Sequence, residues 1–496
     1  MTLNEYISSV KDKRICVIGI GVSNTPLIKR LLSDGCNVTA CDKRTAEELG
    51  DDYAALSALG AKFMLGEGYL DKLDFDLIFR TPGLMPFDEH LEAAGKRGAQ
   101  LTSEMELFMS LCPCKIFAVT GSDGKTTTTT IISELLKAQG YTVHLGGNIG
   151  TPLLCDVDGM KPDDMVVLEL SSFQLHSMKC RPDVAVITNV SPNHLDKHKD
   201  YQDYIDAKNA VFAMQDKSDR LVLNHENEFS EYYAGKALSH ISYFSRVSKP
   251  QNGVFCTDGV IYRVHDGEES EIMRADEIKL PGVHNLENYM AAFAATDDYV
   301  SNEVCVQTAK TFNGVEHRLE QVRVLNGVTF INDSIGTSPT RTAAGLHAVK
   351  TKPILIAGGE AINADFVLEF IKSRGITKLD YYVVSHPHSD HMGAASRIID
   401  SIPIDKFVTT DFSELNMPTS KVFENMLDSL ERQTTCEVVT VRAGDVLNAG
   451  KLKLNVIRIF VPPHSINSQS PCPTSINDTR IVPSDDTSKG LSFCPK

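Results

Sequence analysis

The chain has 496 residues, too many for one hydrophobic core, and domain-size scaling gives about three or four domains. Its 49 basic and 65 acidic residues leave a formal charge of −16, which argues against binding to a nucleic-acid backbone or an anionic membrane and leaves small anions needing dedicated pockets. The 12 cysteines show no zinc-site spacing, the N-terminus lacks an apolar signal core, and no run approaches the ~20 apolar residues of a membrane span, so reduced thiols and a cytoplasmic location are expected.

"RICVIGIGVSNTPLIKRLLSDGCNVTACDKR" reads as an apolar strand, a glycine turn at Gly19 and Gly21, a helix and a second strand ending at Asp42. This is a Rossmann-like opening, although Asn24 stands where the third glycine of the dinucleotide fingerprint belongs. A further strand, "FDLIFRTPG", ends in a turn at Thr81, Pro82 and Gly83, and the first domain is expected to span 1–110. A second domain over 111–310 begins with "KIFAVTGSDGKTTTTTIISELLKAQG", and "MVVLELSS", "VAVITNV" and "RLVLN" supply buried strands at α/β spacing. Short β pieces such as "GVFCTDGVIYRV" follow. A third unit starts at 311, with "KPILIAGG" as a strand ending at 359. From Pro462 the chain is rich in Ser, Pro, Asn and Asp and reads as structureless.

The strand, loop and helix around "TGSDGKTT" carry the first chemistry. Thr120, Gly121, Ser122, Asp123, Gly124, Lys125, Thr126 and Thr127 form a phosphate loop shorter than the usual one, with two residues between its glycines. Glycines let backbone N–H groups face phosphate oxygens, Lys125 reaches those oxygens, and the Thr126 hydroxyl offers a Mg²⁺ ligand at the helix N-terminus.

With "GGNIGTP", "LELSSFQL", "ITNVSPNHLDKHKDYQDYIDAKNAVF", "GVHNLENYMAAFAA", "GVEHRLE" and "NDSIGTSPT" following in order, residues 5–359 resemble the Mur ligases, ATP-dependent enzymes of peptidoglycan precursor synthesis. Folylpolyglutamate synthases share part of the set, but the N-terminal unit resembles the UDP-binding domain of the branch that adds D-glutamate to UDP-N-acetylmuramoyl-L-alanine. The resemblance implies ATP and Mg²⁺, an acyl phosphate intermediate, small-molecule substrates and a monomer. It places Glu169, His194 and a carbamylated Lys208 at the metal with Thr126, and Asn285, Asn288, Arg318 and Asp333 at ATP. Ser23, Asn24, Asp42, Thr81, Pro82 and Asn148 fall where the family grips the UDP-linked substrate. Ile335 replaces a lysine that some members carry after "NDS".

Beyond residue 359 the pattern changes. "YYVVSHPHSDHMGAASRIID" resembles the metallo-β-lactamase superfamily, in the form found in ComEC DNA-uptake proteins. His386 and His388 with Asp390 and His391 have the spacing of a Zn²⁺ or Mn²⁺ loop for water activation, which makes a metal-dependent hydrolase or nuclease the rival reading. A non-catalytic nucleotide-binding chimera is the third. Only His464 follows as a further histidine, so 360–461 reads as a partial hydrolase segment that truncates the third ligase domain and impairs its D-glutamate step. The expected fold is therefore α/β: a Rossmann-like domain, a phosphate-loop domain, a truncated third domain at 311–359, the partial segment, and a tail over 462–496.

Overall fold

A computed structural model describes residues 1–192, 197–315, 320–325, 328–332, 364–373, 375–384, 392–410, 421–441, 445–449, 452–456, 480–483 and 491–492. It divides into two compact units, Met1–Phe312 and Asn313–Lys496.

The first unit opens with a five-stranded parallel sheet in the spatial order Lys62–Leu65, Asn37–Asp42, Arg14–Ile18, Leu77–Phe79, Gln100–Thr102. Strand order reverses at Arg14–Ile18, so a crevice opens at its C-terminal end, where ligands bind in such sheets. Gly19 lies there at φ +90°, and a Cβ on it would meet the Thr81 Cβ at 2.9 Å. Only glycine lets the two turns touch. Asn24 donates its side-chain N–H groups to Ile18 O (2.9 Å) and Gly19 O (3.2 Å), closing the turn in place of the missing third glycine.

The second sheet of this unit has nine strands, in the order Glu268–Arg274, Val260–His265, Gly253–Thr257, His240–Ser245, Arg220–Asn224, Val184–Ile187, Lys115–Thr120, Met165–Glu169, Val143–Gly147. It is parallel except where the first three in that order pair antiparallel. Alternation sends Ile116, Ala118, Val166 and Leu168 to one apolar cluster and Phe117, Val119, Met165 and Val167 to the other, so both faces are covered. Helix Lys125–Gln139 packs Ile131, Ile132, Leu135 and Leu136 on the second face, and helix Val283–Ala295 buries every residue from Tyr289 onward there. The hairpin in "GVFCTDGVIYRV" turns on Asp258 and Gly259, both at positive φ, as a two-residue turn requires.

Between the sheets, Ser103 caps helix Glu104–Leu111 by accepting from Glu106 N at 3.2 Å. Glu104 is buried, and burial pushes its carboxyl up to about 7 against an opposing hydrogen bond from the Leu154 backbone. Between the ordinary value and about 7 the folded chain holds a proton that the unfolded chain has lost, so this group's contribution to stability falls as pH rises through that window. Glu104→Gln is therefore expected to raise stability at pH 8 by on the order of 2 kcal/mol, with little effect at pH 4, as read from urea unfolding at both values.

In the second unit, strands Glu320–Leu325 and Val328–Asn332 pair antiparallel. Strands Leu379–Val383, Ile404–Thr410 and Glu437–Val441 form a parallel sheet, and helices Ala364–Ser373, Ala395–Ser401 and Lys421–Arg432 contribute to one apolar cluster with Tyr382 and Phe407. A four-stranded antiparallel sheet contains Val446–Ala449, Leu452–Val456, Arg480–Pro483 and Leu491–Ser492. Its last two strands fall inside the tail that composition reads as structureless; there the β-branched Ile481 and Val482 sit opposite Val456 and Asn455. The expected strand at 352–359 lies outside the described residues. Among the described residues, no helix is long and apolar enough to cross a membrane.

Candidate functional site

The phosphate loop leaves strand Lys115–Thr120 and enters helix Lys125–Gln139 through two glycines that nothing larger replaces. Gly121 has φ +145°, and a Cβ on it would meet Thr188 Oγ1 at 2.0 Å. Gly124 has φ +80°, and its Cβ would meet Asn288 Oδ1 at 2.3 Å. The underside of the loop is held by the end of a neighbouring strand. Asp123 N donates to Asn189 Oδ1 (2.9 Å), while Thr188 Oγ1 (2.6 Å) and Asn189 Nδ2 (3.1 Å) donate to Asp123 O. Ser122 is fully buried and shares hydrogen bonds with Ser191 O and the Tyr204 hydroxyl. Lys125 Nζ donates to Gly121 O (3.1 Å) and Ser122 O (3.0 Å), two carbonyls of the loop itself.

Three of the residues picked from sequence converge beside it. Thr126 Oγ1 donates to Glu169 Oε2 at 2.7 Å, and Asn148 Nδ2 donates to Glu169 Oε1 at 2.9 Å. Gly147 makes this possible: at φ +99° it passes so close to Glu169 that a Cβ would meet the Glu169 carbonyl oxygen at 2.2 Å. A buried carboxylate and a hydroxyl are hard oxygen donors, which suits Mg²⁺ better than a softer metal.

Lys208 is fully buried, its Nζ has no hydrogen-bond partner among the described residues, and it lies 3.6 Å from the centroid of the Tyr204 ring. Burial, with the nearby charge of Lys125, holds its pKa well below the ordinary lysine value of 10.5. Both causes favour the neutral amine, which is the nucleophilic form.

Asn285 and Asn288 are both buried against the loop side of helix Val283–Ala295. Asn285 donates to Pro281 O (2.7 Å), and Asn288 accepts from Thr128 Oγ1 (3.2 Å). In the first sheet, Asp42 accepts from Ile20 N (2.7 Å) and Arg44 N (2.9 Å) and pairs with the Arg44 guanidinium. Burial raises the Asp42 pKa, but these hydrogen bonds outweigh it and hold the carboxylate below its ordinary value. Ser23 is exposed, and Thr81 and Pro82 are half-buried, at the same crevice. His194, Arg318, Asp333, His386, His388, Asp390, His391 and His464 lie outside the described residues.

Sequence reasoning missed the loop's supports, Thr188 and Asn189, although both stand in the quoted "ITNV". It also missed a buried network in which His198 Nδ1 and His176 Nε2 face the two oxygens of Asp203 at 2.9 and 2.8 Å, with Ser172 Oγ on His198 Nε2 at 3.0 Å. Burial keeps His198 below the ordinary imidazole value despite Asp203. A third omission is Arg80, one residue before Thr81, whose guanidinium is buried against helix Ser172–Leu175.

The chain matches the Mur ligase middle domain over residues 119–296, which includes the loop, Glu169 and Lys208. It is 54% identical over 359 residues to the UDP-N-acetylmuramoylalanine–D-glutamate ligase of Ruminiclostridium cellulolyticum, covering 72% of this chain and 77% of that protein. The ligase of the same name from Clostridium beijerinckii is 44% identical over 446 residues, 90% of this chain and 93% of that one. This second alignment runs past residue 359, where the sequence reading ends the ligase pattern, and the metallo-β-lactamase-like reading gains no support from these relatives. A solved UDP-N-acetylmuramate–alanine ligase from Thermotoga maritima superposes with a TM-score of 0.45 at 18% identity, over 86% of this chain and 90% of that one. Identity of this order over most of both chains, joined to the matched middle domain, makes this chain a member of the Mur ligase family, alongside its UDP-N-acetylmuramoylalanine–D-glutamate ligases.

Proposed function

We propose that the protein joins D-glutamate to UDP-N-acetylmuramoyl-L-alanine. ATP phosphorylates the substrate carboxylate, and the amine of D-glutamate displaces phosphate from the acyl phosphate. The observation that carries the reading is the convergence on one loop of Lys125, the Thr126–Glu169–Asn148 chain and the buried Lys208.

Each residue has a definable part. Backbone N–H groups of the loop and the Lys125 ammonium take up the ATP phosphates, and the glycines keep that surface open. Thr126 and Glu169 would hold Mg²⁺, which when bound shields phosphate charge from the attacking carboxylate. Lys208 as an ammonium would repel that cation; its depressed pKa favours the other state. The neutral amine attacks the carbon of carbon dioxide, an N–H proton leaves to water, and the resulting carbamate is an anion where the amine has no hydrogen-bond partner among the described residues. Asn148 orients Glu169 and faces the substrate side, and the crevice of the first sheet, with Ser23, Asp42, Thr81 and Pro82, takes the UDP group. Asn285 and Asn288 contact adenine.

The test is ADP release by the whole chain. The expected result is release that requires ATP, Mg²⁺ and UDP-N-acetylmuramoyl-L-alanine together. Release that is indifferent to the UDP-linked substrate would remove the proposal.

A further inference from the structure

Arg80 follows the strand Leu77–Phe79, and its backbone N–H donates to Thr102 O at 2.9 Å, fixing it to the first sheet. Its side chain points away from that sheet's interior partners and into the second sheet's domain. The guanidinium donates through Nε to Ser177 Oγ (2.9 Å) and through one terminal nitrogen to Phe173 O (3.0 Å) and Gln174 O (3.3 Å). The other terminal nitrogen donates to Leu84 O (3.2 Å) and Thr81 O (3.4 Å). One planar group thus bonds two segments at once: the turn 81–84, assigned to the UDP-linked substrate, and the segment 173–177, which directly follows Glu169 and Ser171.

The energetics make adhesion a poor account of this residue. Arg80 is 3% exposed and, among the described residues, forms no ion pair; every acceptor of its guanidinium is neutral, and burial outweighs the favourable charge of the nearby Glu106 carboxylate, holding its pKa below the ordinary value. Burying a cation in this way costs more than packing an apolar side chain of similar volume. Adhesion is already supplied, because one apolar cluster runs continuously from Val17 and Phe79 of the first sheet to Leu175 and Met178 beyond Glu169. A second contact, Phe87 edge-on to His176 at 5.5 Å, joins the residues just after that turn to the same segment 173–177. What the guanidinium adds is geometry, since its rigid fork fixes both distance and angle between its acceptors.

We propose that Arg80 is a positioning residue that sets the spacing between the UDP-binding turn and the Glu169 segment, so that a substrate gripped at its UDP end presents its carboxylate at the phosphate loop. This rests on the proposed function. The substrate is held at one end and reacts at the other, and an error on the order of 1 Å between those ends is enough to lower the rate about 100-fold without loosening the grip.

The experiment compares Arg80→Gln, Arg80→Lys and the milder Ser177→Ala in the full chain. Calorimetry gives the affinities for UDP-N-acetylmuramoyl-L-alanine and for ATP with Mg²⁺; substrate-dependent ADP release gives kcat; amide hydrogen exchange reads segments 81–84 and 173–177. The expected result is affinities within about threefold of the parent, with kcat about 100-fold lower in Arg80→Gln and about 10-fold lower in Arg80→Lys. Ser177→Ala falls between Arg80→Lys and the parent, and exchange rises in both segments of Arg80→Gln. A residue that only supports the fold would lower thermal stability and leave kcat per folded molecule unchanged. That outcome, in any variant that remains folded, overturns the inference, as does a loss of UDP-substrate affinity equal to the loss of kcat. Failure of the parent chain to release ADP would instead count against the proposed function, and the exchange data would still decide whether Arg80 clamps the two segments.

Discussion

Lys208→Ala is expected to abolish substrate-dependent ADP release, by on the order of 10³-fold or more, with part of it restored by short carboxylic acids. The reason is the isolation of the amine: it is fully buried, has no hydrogen-bond partner among the described residues, and feels the charge of Lys125. On the proposed function a group placed so poorly as an ammonium acts after modification, and its carbamate would be an anion that a small carboxylate imitates. Stability moves the other way. Between its depressed pKa and 10.5 the unfolded chain carries a proton that the folded chain lacks, so in the carbon-dioxide-free protein unfolding free energy rises with pH through that window. Lys208→Met removes that slope and is expected to stabilise the protein at neutral pH while inactivating it. Full activity in the alanine variant, together with an intact mass that shows no carbamate in the parent, would refute the assignment.

Lys125→Ala has an effect of the same order on a different step. Its ammonium already spans the loop carbonyls of Gly121 and Ser122, and on the proposed function it meets phosphate oxygens from there. Removing a charge aimed at the transferring phosphoryl group costs on the order of 10³-fold in rate. The proposed function puts the UDP-linked substrate in the crevice of the other sheet, so its affinity, read by calorimetry, is expected to stay within about threefold of the parent. Equal loss of both would mean that the two sheets have been given the wrong ligands.

Much of this site was legible because its chemistry follows local chain order. Strand, glycine loop and helix are contiguous from Lys115 to Gln139, and the buried strands ending at Glu169 and Ile187 announce themselves as apolar runs. The missing third glycine was visible at Asn24; that its amide would close the turn itself was not, because this depends on where the Ile18 and Gly19 carbonyls point. Arg80 was overlooked for a related reason. In sequence it is a charge at the end of a strand, which reads as a solvated edge, and its burial comes from a segment 93–97 residues away. The network of His176, His198 and Asp203 likewise joins residues up to 27 apart whose spacing matches no local motif. The apolar pair Ile481 and Val482 was masked by the polar composition around it.

The central claim is that this loop activates the carboxylate of a UDP-linked substrate, and trapping the activated species tests it most directly. The chain is incubated with ATP, Mg²⁺ and UDP-N-acetylmuramoyl-L-alanine, without D-glutamate, and quenched with borohydride, which reduces an acyl phosphate but not a free carboxylate. The account predicts that the primary alcohol appears, and that it disappears with Lys125→Ala or without ATP. ADP formed under these conditions with the carboxylate recovered unreduced would contradict it.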